Sequence, residues 1–485
     1  MSAASKVLGA PAMNRLKRRA MSLGAAKAFD YAMQFLLPVV LVRCLDTATF
    51  GEYRLLWLAV GTLIALATLN MPQSLYFYLP RSDPPTRRLY IQQTMIYLGV
   101  TGLIAGWGVS PWNPWLPQTL LPLTKYGALV PAFMVLWVTA YMIEVLPTIE
   151  ERIRLATGIT IGFSVLRVVI LAVGAYFAQD LQLLLWLLIA LVLLKLASQL
   201  LYMHRFHGLR GPWLSPRLLW NHMVHAVPFG LSSALYTMRV QGDQWVAAGL
   251  FALHSFAALS VATVFNPLVN VFRQSVNEAF LPSMSRTHAA GDTAGMLALN
   301  SRANVMVGTL LYPLLAFCFA FAEEIVTIVY TATYIEAAAV MRVYILGTAC
   351  LVIELGSIVL FLKEGAFALR TNLVLLAVAV AVSYLGGLYV GLPGAAAGSV
   401  LAIYLDRLIF IRRVARLTGV PFARVQNWGR LGLTLAAAAL AGVLGWGVVE
   451  TFLPGRSHFL RLMTGAAVIG LAYLPWLLIS ARNQE

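Results

Sequence analysis

Fourteen stretches of this chain are apolar enough, and long enough, to cross a bilayer as helices, and no other feature constrains the fold as tightly. They centre on 22–43, 54–79, 89–109, 127–147, 157–178, 181–203, 224–250, 255–280, 303–322, 338–361, 366–387, 393–411, 430–449 and 460–479. A bilayer core takes about 20 apolar residues per helical crossing. In lipid, every backbone N–H and C=O must find its partner within the protein, so each stretch is expected to be helical. Hydrophobic residues make up 60% of the 485, and charged ones only 11%, where a soluble domain carries roughly a quarter charged. The expected fold class is all-α: a polytopic membrane protein of about 14 transmembrane helices. No polar segment is long enough to form a soluble domain.

The net charge of +16 would point to nucleic acid in a soluble protein. In a membrane protein, Lys and Arg gather in cytoplasmic loops, and their placement tests the span count. With the N-terminus inside, the even connections hold Arg81, Arg87 and Arg88, then Arg152 and Arg154, then Arg205, Arg210 and Arg217. Arg286 and Arg302 follow, then Lys363 and Arg370, then the cluster from Arg407 to Arg430. The odd connections hold only Arg43, Arg54, Lys125, Arg456 and Arg461. Counting both termini, about 24 basic residues lie inside and about 5 outside. One missed helix would scramble this alternation. An even number of spans with both termini cytoplasmic is expected; twelve is the rival count.

The basic run Lys6, Arg15, Lys17, Arg18 and Arg19 precedes an apolar run of span length, which fits a cytoplasmic tail and an uncleaved first helix. Cys44, Cys318 and Cys350 are isolated and expected to be packing residues. The Trp- and Pro-rich loop from Ser110 suits an interfacial anchor. Glu323 to Tyr330 reads as a short amphipathic surface segment.

A faint repeat connects two sites. Pro72-Gln73-Ser74-Leu75 leads to Tyr78-Leu79-Pro80 at the end of the second stretch. Arg273-Gln274-Ser275-Val276 leads to Phe280-Leu281-Pro282 at the end of the eighth, about 202 residues on. Six helices separate them, an even number, so the copies share one orientation, as in transporters built from parallel repeats.

Several segments, in order along nearly the whole chain, resemble the flippases of the multidrug/oligosaccharidyl-lipid/polysaccharide exporter superfamily, in particular the bacterial polysaccharide or O-antigen-type branch. They are Val40 to Leu45 with Phe50-Gly51-Glu52-Tyr53; Gly242-Asp243-Gln244-Trp245 with Phe256-Ala257-Ala258-Leu259; Ala279 to Arg286 with Gly291-Asp292; Glu323 to Tyr334 with Ala337; and Gly391-Leu392-Pro393-Gly394-Ala395-Ala396-Ala397-Gly398. The chain departs from the pattern at Tyr330 to Tyr334, where the family often has Gly. The resemblance implies two pseudo-symmetric six-helix lobes around a cavity that opens alternately to each side, plus two peripheral C-terminal helices. The expected organisation is a tail (1–21), an N-lobe of spans 1–6 (22–203), an inter-lobe loop (204–223), a C-lobe of spans 7–12 (224–416), and spans 13–14 with the C-terminal tail (417–485). The implied substrate is a polyprenyl-pyrophosphate-linked oligosaccharide, moved to the outer leaflet of the bacterial cytoplasmic membrane. A polysaccharide polymerase and other assembly proteins are candidate partners.

Ionisable residues inside the spans are the candidate site. Each costs roughly 2.5–3.5 kcal/mol at the bilayer centre on insertion scales, and such groups usually face protein or water. Lys27 and Asp30 in span 1, and Arg239 and Asp243 in span 7, are spaced to share a helix face. Each couple is either a self-neutralised pair or part of a cavity lining. Arg273 in span 8, with Asn270 upstream, is the leading candidate for a phosphate contact; Arg54 is a second, beside Glu52. Arg167 and Lys195 lie in long apolar runs, Lys195 placed to snorkel. Glu354, Asp30 and Asp243 are candidate coupling residues. Asp406 and Arg407 are expected to mark the end of span 12.

Enzymatic signals are weak. There is no Walker-type loop and no cluster with metal spacing, so no cofactor or metal is expected. His204, His207, His222 and His225 fall near one loop and read as solvated. A cation-coupled multidrug exporter of the same superfamily is the alternative function. A membrane polysaccharide polymerase or ligase is the more distant one, since no outer loop is large enough to carry its site.

Overall fold

The computed structural model describes residues 10–208, 211–263 and 266–482. Among these there are helices and no strand. Ten helices are long and apolar enough to cross a membrane, one of them, Leu129–Ile149, passing through a tighter turn at Ala140–Glu144. The other four expected crossings differ for physical reasons. Helix Pro84–Gly108 is continuous but carries buried Gln92 and Gln93 mid-span, which lowers its hydropathy. The other three are interrupted: Pro216–Val240 with Gly242–Leu250, Leu253–Val261 with Asn266–Ala289, and Ala337–Leu351 with Gly356–Phe361. Pro216–Val240 and Asn266–Ala289 are long enough to cross but too polar, and the remaining pieces are too short.

The chain divides into two compact units, one ending at Thr237 and the other beginning at Met238. Unit 1 contains spans 1 to 6: Ala10–Cys44; Thr47–Thr68 with Met71–Tyr78; Pro84–Gly108; Leu129–Thr139 with Leu146–Ile149; Ile153–Ala178; and Leu181–Phe206. Span 7 begins at Pro216 and ends at Leu250, and unit 2 continues with spans 8 (Leu253–Val261 with Asn266–Ala289), 9 (Thr293–Ala320), 10 (Ala337–Leu351 with Gly356–Phe361), 11 (Gly365–Val390) and 12 (Leu392–Thr418). Spans 13 (Trp428–Phe452) and 14 (His458–Arg482) follow, and span 13 packs on span 9.

The two series match at several elements, although span 7 is interrupted and span 1 is not. Spans 2 and 8 are both interrupted, as are spans 4 and 10. A short helix follows span 3 at Gln118–Tyr126, and another follows span 9 at Ala322–Tyr330. Packing repeats too. In unit 1, span 1 lies on span 5, 3 on 4, 4 on 6 and 5 on 6; in unit 2, span 7 lies on 11, 9 on 10, 10 on 12 and 11 on 12.

Local chemistry accounts for the joints. Asp46 accepts from the amides of Ala48 and Thr49, both at 2.8 Å, and so caps span 2. Gln179 (φ 51°) turns the chain between spans 5 and 6, and Asp180 caps the second of them. Spans 11 and 12 are divided at Gly391 (φ 78°), four residues beyond the expected edge at 387. Thr331 holds φ 80° between Ala322–Tyr330 and the turn at Ala332–Tyr334. That positive φ lies in the stretch where the resembled family often has Gly, the residue that adopts it most readily. The expected surface segment from Glu323 is a helix, Ala322–Tyr330, and the first helix begins at Ala10, well before the expected residue 22.

Candidate translocation site

In unit 1, Asp30 of span 1 finds its cationic partner on span 5 and not in Lys27 of its own helix. Asp30 lies 3.9 Å from Arg167 Nη2 and accepts from Ser164 Oγ, and Gln34 Nε2 donates to it at 2.7 Å. Lys27, one turn away, is exposed instead of closing a pair with Asp30. The self-neutralised couple is therefore replaced by a cross-helix cluster. Asp30 and Arg167 keep 28% and 16% of their side-chain surface, so a polar patch opens on an otherwise apolar face. The Arg167 guanidinium stands 5.9 Å from the Trp57 ring centroid on span 2, a cation–π distance. Buried Tyr53 is within electrostatic reach of both Arg167 and Arg54. Glu52, expected beside Arg54, turns instead to Lys125 at 2.7 Å and to the Tyr126 hydroxyl.

Lys195 does not snorkel. It is buried on span 6, bonded to Glu144 in the interruption of span 4, with its ammonium 4.6 Å from the Trp137 ring centroid. One turn on, Gln199 accepts from the Ile143 amide at 3.1 Å and donates to the Thr139 carbonyl at 3.0 Å. Span 6 thereby satisfies backbone groups released by the break in span 4, as the absence of water in lipid requires. Unit 2 solves the same problem at span 10. Asn304 Oδ1 accepts from the Glu354 amide at 3.1 Å, and Asn300 Nδ2 donates to the Glu354 carbonyl at 2.9 Å. The Glu354 carboxylate accepts from the Gly356 amide at 2.6 Å. Glu354 thus sits in the break of span 10, held by span 9.

Arg239 and Asp243 do not meet either. The helix is interrupted at Gln241, which removes the continuous turn that i,i+4 pairing needs. Arg239 Nη1 lies 3.2 Å from Asp406 Oδ1 on span 12, and Arg407 also approaches Asp406, at 3.3 Å. Asp243, 1% exposed, accepts from the Tyr344 hydroxyl at 2.6 Å on span 10. Asp406 is a buried residue within a helix that continues to Thr418, not a marker of its end. Its partner lies 167 positions away in sequence, beyond the reach of any local spacing rule.

Arg273 is half-buried on Asn266–Ala289. Glu278, the acid nearest it in sequence, is engaged by Gln274 Nε2 at 2.9 Å. Asn270 belongs to the same helix, but its side chain lies outside the described residues, as does the start of the basic tail at residues 1–9. Two histidines expected in solvent are enclosed. His222 is fully buried against Tyr78 and Tyr90 and contacts Ser74. His207 Nε2 lies 2.8 Å from Glu150. The polarity of the local sequence had suggested solvent; the packing of Pro216–Val240 against spans 2 and 3 in unit 1 encloses His222.

No protein-family model matches the chain, and no curated protein matches it by sequence. Among solved structures, the lipid II flippase MurJ in an inward closed conformation is similar over 95% of this chain and 99% of its own, with a TM-score of 0.67 at 13% identity. An inward-facing multidrug resistance MATE family transporter of the MOP superfamily covers 82% of this chain and 96% of its own, with a TM-score of 0.57 at 13% identity. A variant of the Vibrio cholerae MATE transporter VcmN covers 85% and 98%, with a TM-score of 0.55 at 12% identity. The chain is a multi-pass membrane protein of about fourteen helices in two lobes, with a fold like that of the MurJ flippase over nearly its whole length and like that of the MATE transporters over about four-fifths of it.

Proposed function

We propose that the protein is an alternating-access flippase that moves a polyprenyl-pyrophosphate-linked oligosaccharide repeat unit from the inner to the outer leaflet for surface or exported polysaccharide synthesis. The observation that carries this reading is the patch within spans 1 and 5 made by partly buried Asp30 and Arg167, with exposed Lys27 one turn from Asp30. Charge inside the hydrocarbon region is costly and marks a substrate or ion path. Two cations beside one carboxylate leave positive charge available for a pyrophosphate, and charge-assisted hydrogen bonds are strong in a low-dielectric cleft. Similarity to a structure named as a lipid II flippase, over 95% of this chain, supports a lipid-linked substrate.

On this reading, Lys27, Arg54, Arg273 and Asn270 contact the anionic headgroup, and Asp30 orients Arg167. Asp30, Asp243 and Glu354 are the coupling candidates, and Arg239 acts through its pair with Asp406. Spans 1–6 (22–203) and 7–12 (224–416) form the moving lobes. The protein is a carrier and not an enzyme, and it lies in the bacterial cytoplasmic membrane with both termini cytoplasmic. The similarity to MATE transporters supports a second reading, export of drugs coupled to a cation. Cells carrying Arg167→Ala or Arg273→Ala as their sole copy decide between the two. The flippase reading predicts loss of surface polysaccharide with normal membrane levels of protein and unchanged drug susceptibility. Intact polysaccharide together with drug hypersensitivity contradicts it.

A further inference from the structure

Unit 2 contains a trough of about 750 Å³ between spans 9, 10 and 13, remote in sequence from the span 1 and span 5 patch. Its floor is made of small residues, Ala316, Ala320, Ala439 and Gly442, and its rim of the exposed side chains Leu346 and Trp446. Small residues on adjoining helices leave a furrow, and exposed apolar rims suit acyl chains. One end of the furrow is different. Glu323, Glu324, Arg342, Glu450 and Arg461 all line it there. Both Arg342 Nη atoms donate to Glu323 Oε1 at 3.1 Å, and Arg461 bridges Glu324 and Glu450 at 2.8 Å each.

We propose that this trough is a binding site for a phospholipid with a primary-amine headgroup, its acyl chains in the furrow and its headgroup on the five charged residues. Charge complementarity selects the lipid. Three carboxylates face two guanidinium groups, so the cluster has one surplus negative charge, which disfavours anionic lipids. Glu323 and Glu450 keep about half of their side-chain surface, 54% and 51%, and can receive an ammonium. Arg342, 34% exposed, can meet the phosphate beside it. A primary ammonium donates up to three hydrogen bonds; a quaternary one donates none to a carboxylate, which separates the amine lipid from its choline counterpart. The site does not depend on what the protein transports.

Native mass spectrometry of the full chain in detergent, with defined phosphatidylethanolamine, phosphatidylcholine or phosphatidylglycerol added, tests the proposal. The expected result is one retained phosphatidylethanolamine, favoured about tenfold over the other two. Ala439→Phe, which fills the furrow from an exposed position, should abolish retention without changing the elution profile. Glu323→Gln with Glu450→Gln should erase the preference over phosphatidylcholine while leaving the furrow able to hold a lipid; this pair still decides the matter if the Phe variant does not fold. Equal retention of all three lipids overturns the proposal. So does a preference untouched by the Gln pair, or displacement of phosphatidylethanolamine by an equimolar polyprenyl phosphate, which would make the trough a substrate-tail groove.

Discussion

Arg239 Nη1 stands 3.2 Å from Asp406 Oδ1, and each side chain is only 7% exposed. This buried ion pair joins span 7 to span 12 within unit 2. Asp406 serves both Arg239 and Arg407, and breaking a buried pair by removing one member costs about 3–5 kcal/mol. Asp406→Asn is therefore expected to lower the thermal midpoint in detergent sharply. Replacing both residues with apolar ones of similar size should recover much of the loss. An Asp406→Asn protein as stable as the wild type would show that the pair does not hold the spans together.

Asp243 is held by the Gln244 amide at 2.9 Å and by the Tyr344 hydroxyl, which serves its other oxygen. Tyr344→Phe removes the 2.6 Å donor from a carboxylate that is 1% exposed. An orphaned buried polar group costs about 1–3 kcal/mol. Thermal unfolding of Tyr344→Phe should show a loss in that range, and Asp243→Asn combined with Tyr344→Phe should cost less than the two single losses added together. Strict additivity would mean that the two groups are not coupled.

Spans 11 and 12 are the closest-packed pair in unit 2, and glycine permits it. A Cβ on Gly394 or Gly386 would overlap the other's carbonyl, and one on Gly398 would overlap the Ala379 carbonyl. Small residues four apart allow this approach in membranes. Gly398→Val is expected to abolish the monodisperse folded fraction, whereas Gly432→Val, where a Cβ meets open space, should leave it intact. A well-folded Gly398→Val protein would contradict the packing.

Glu150, between spans 4 and 5, carries a pH dependence. Burial opposes its ionisation, but hydrogen bonding with His207 and Tyr202, with the charges of His207 and Arg152, outweighs burial and holds its pKa below 4.5. A carboxylate with a depressed folded pKa stabilises fully above its unfolded value, and that contribution is lost as pH falls through the folded one. The thermal midpoint should therefore decline below about pH 4.5. Glu150→Gln should lower the midpoint at neutral pH and flatten the acid decline. An unchanged acid profile in Glu150→Gln would assign the decline to other groups.

Hydropathy made the spans legible because lipid imposes one requirement on every helix, and ten of them follow it plainly. The interruptions were harder to read. Leu69 and Asn70 adopt φ of 38° and 59° ahead of Met71-Pro72; only the proline near the start of the new helix hinted at the break. The break at Gln241 has no such marker, and it separates Arg239 from Asp243. Intramembrane charges stood out in the sequence because they are rare there. Their partners did not, because Asp30 with Arg167, Lys195 with Glu144 and Arg239 with Asp406 all join different helices, and helix-face spacing cannot see across a bundle.

Transbilayer movement of a fluorescent polyprenyl-pyrophosphate oligosaccharide in proteoliposomes, comparing wild type with Arg273→Ala, tests the central claim most directly. The flippase reading predicts protein-dependent exchange between leaflets in the wild type and at least about a tenfold loss in Arg273→Ala, equivalent to about 1.4 kcal/mol of lost binding. No exchange by the wild type, in vesicles where the same protein accumulates a cationic dye against its gradient, would contradict it.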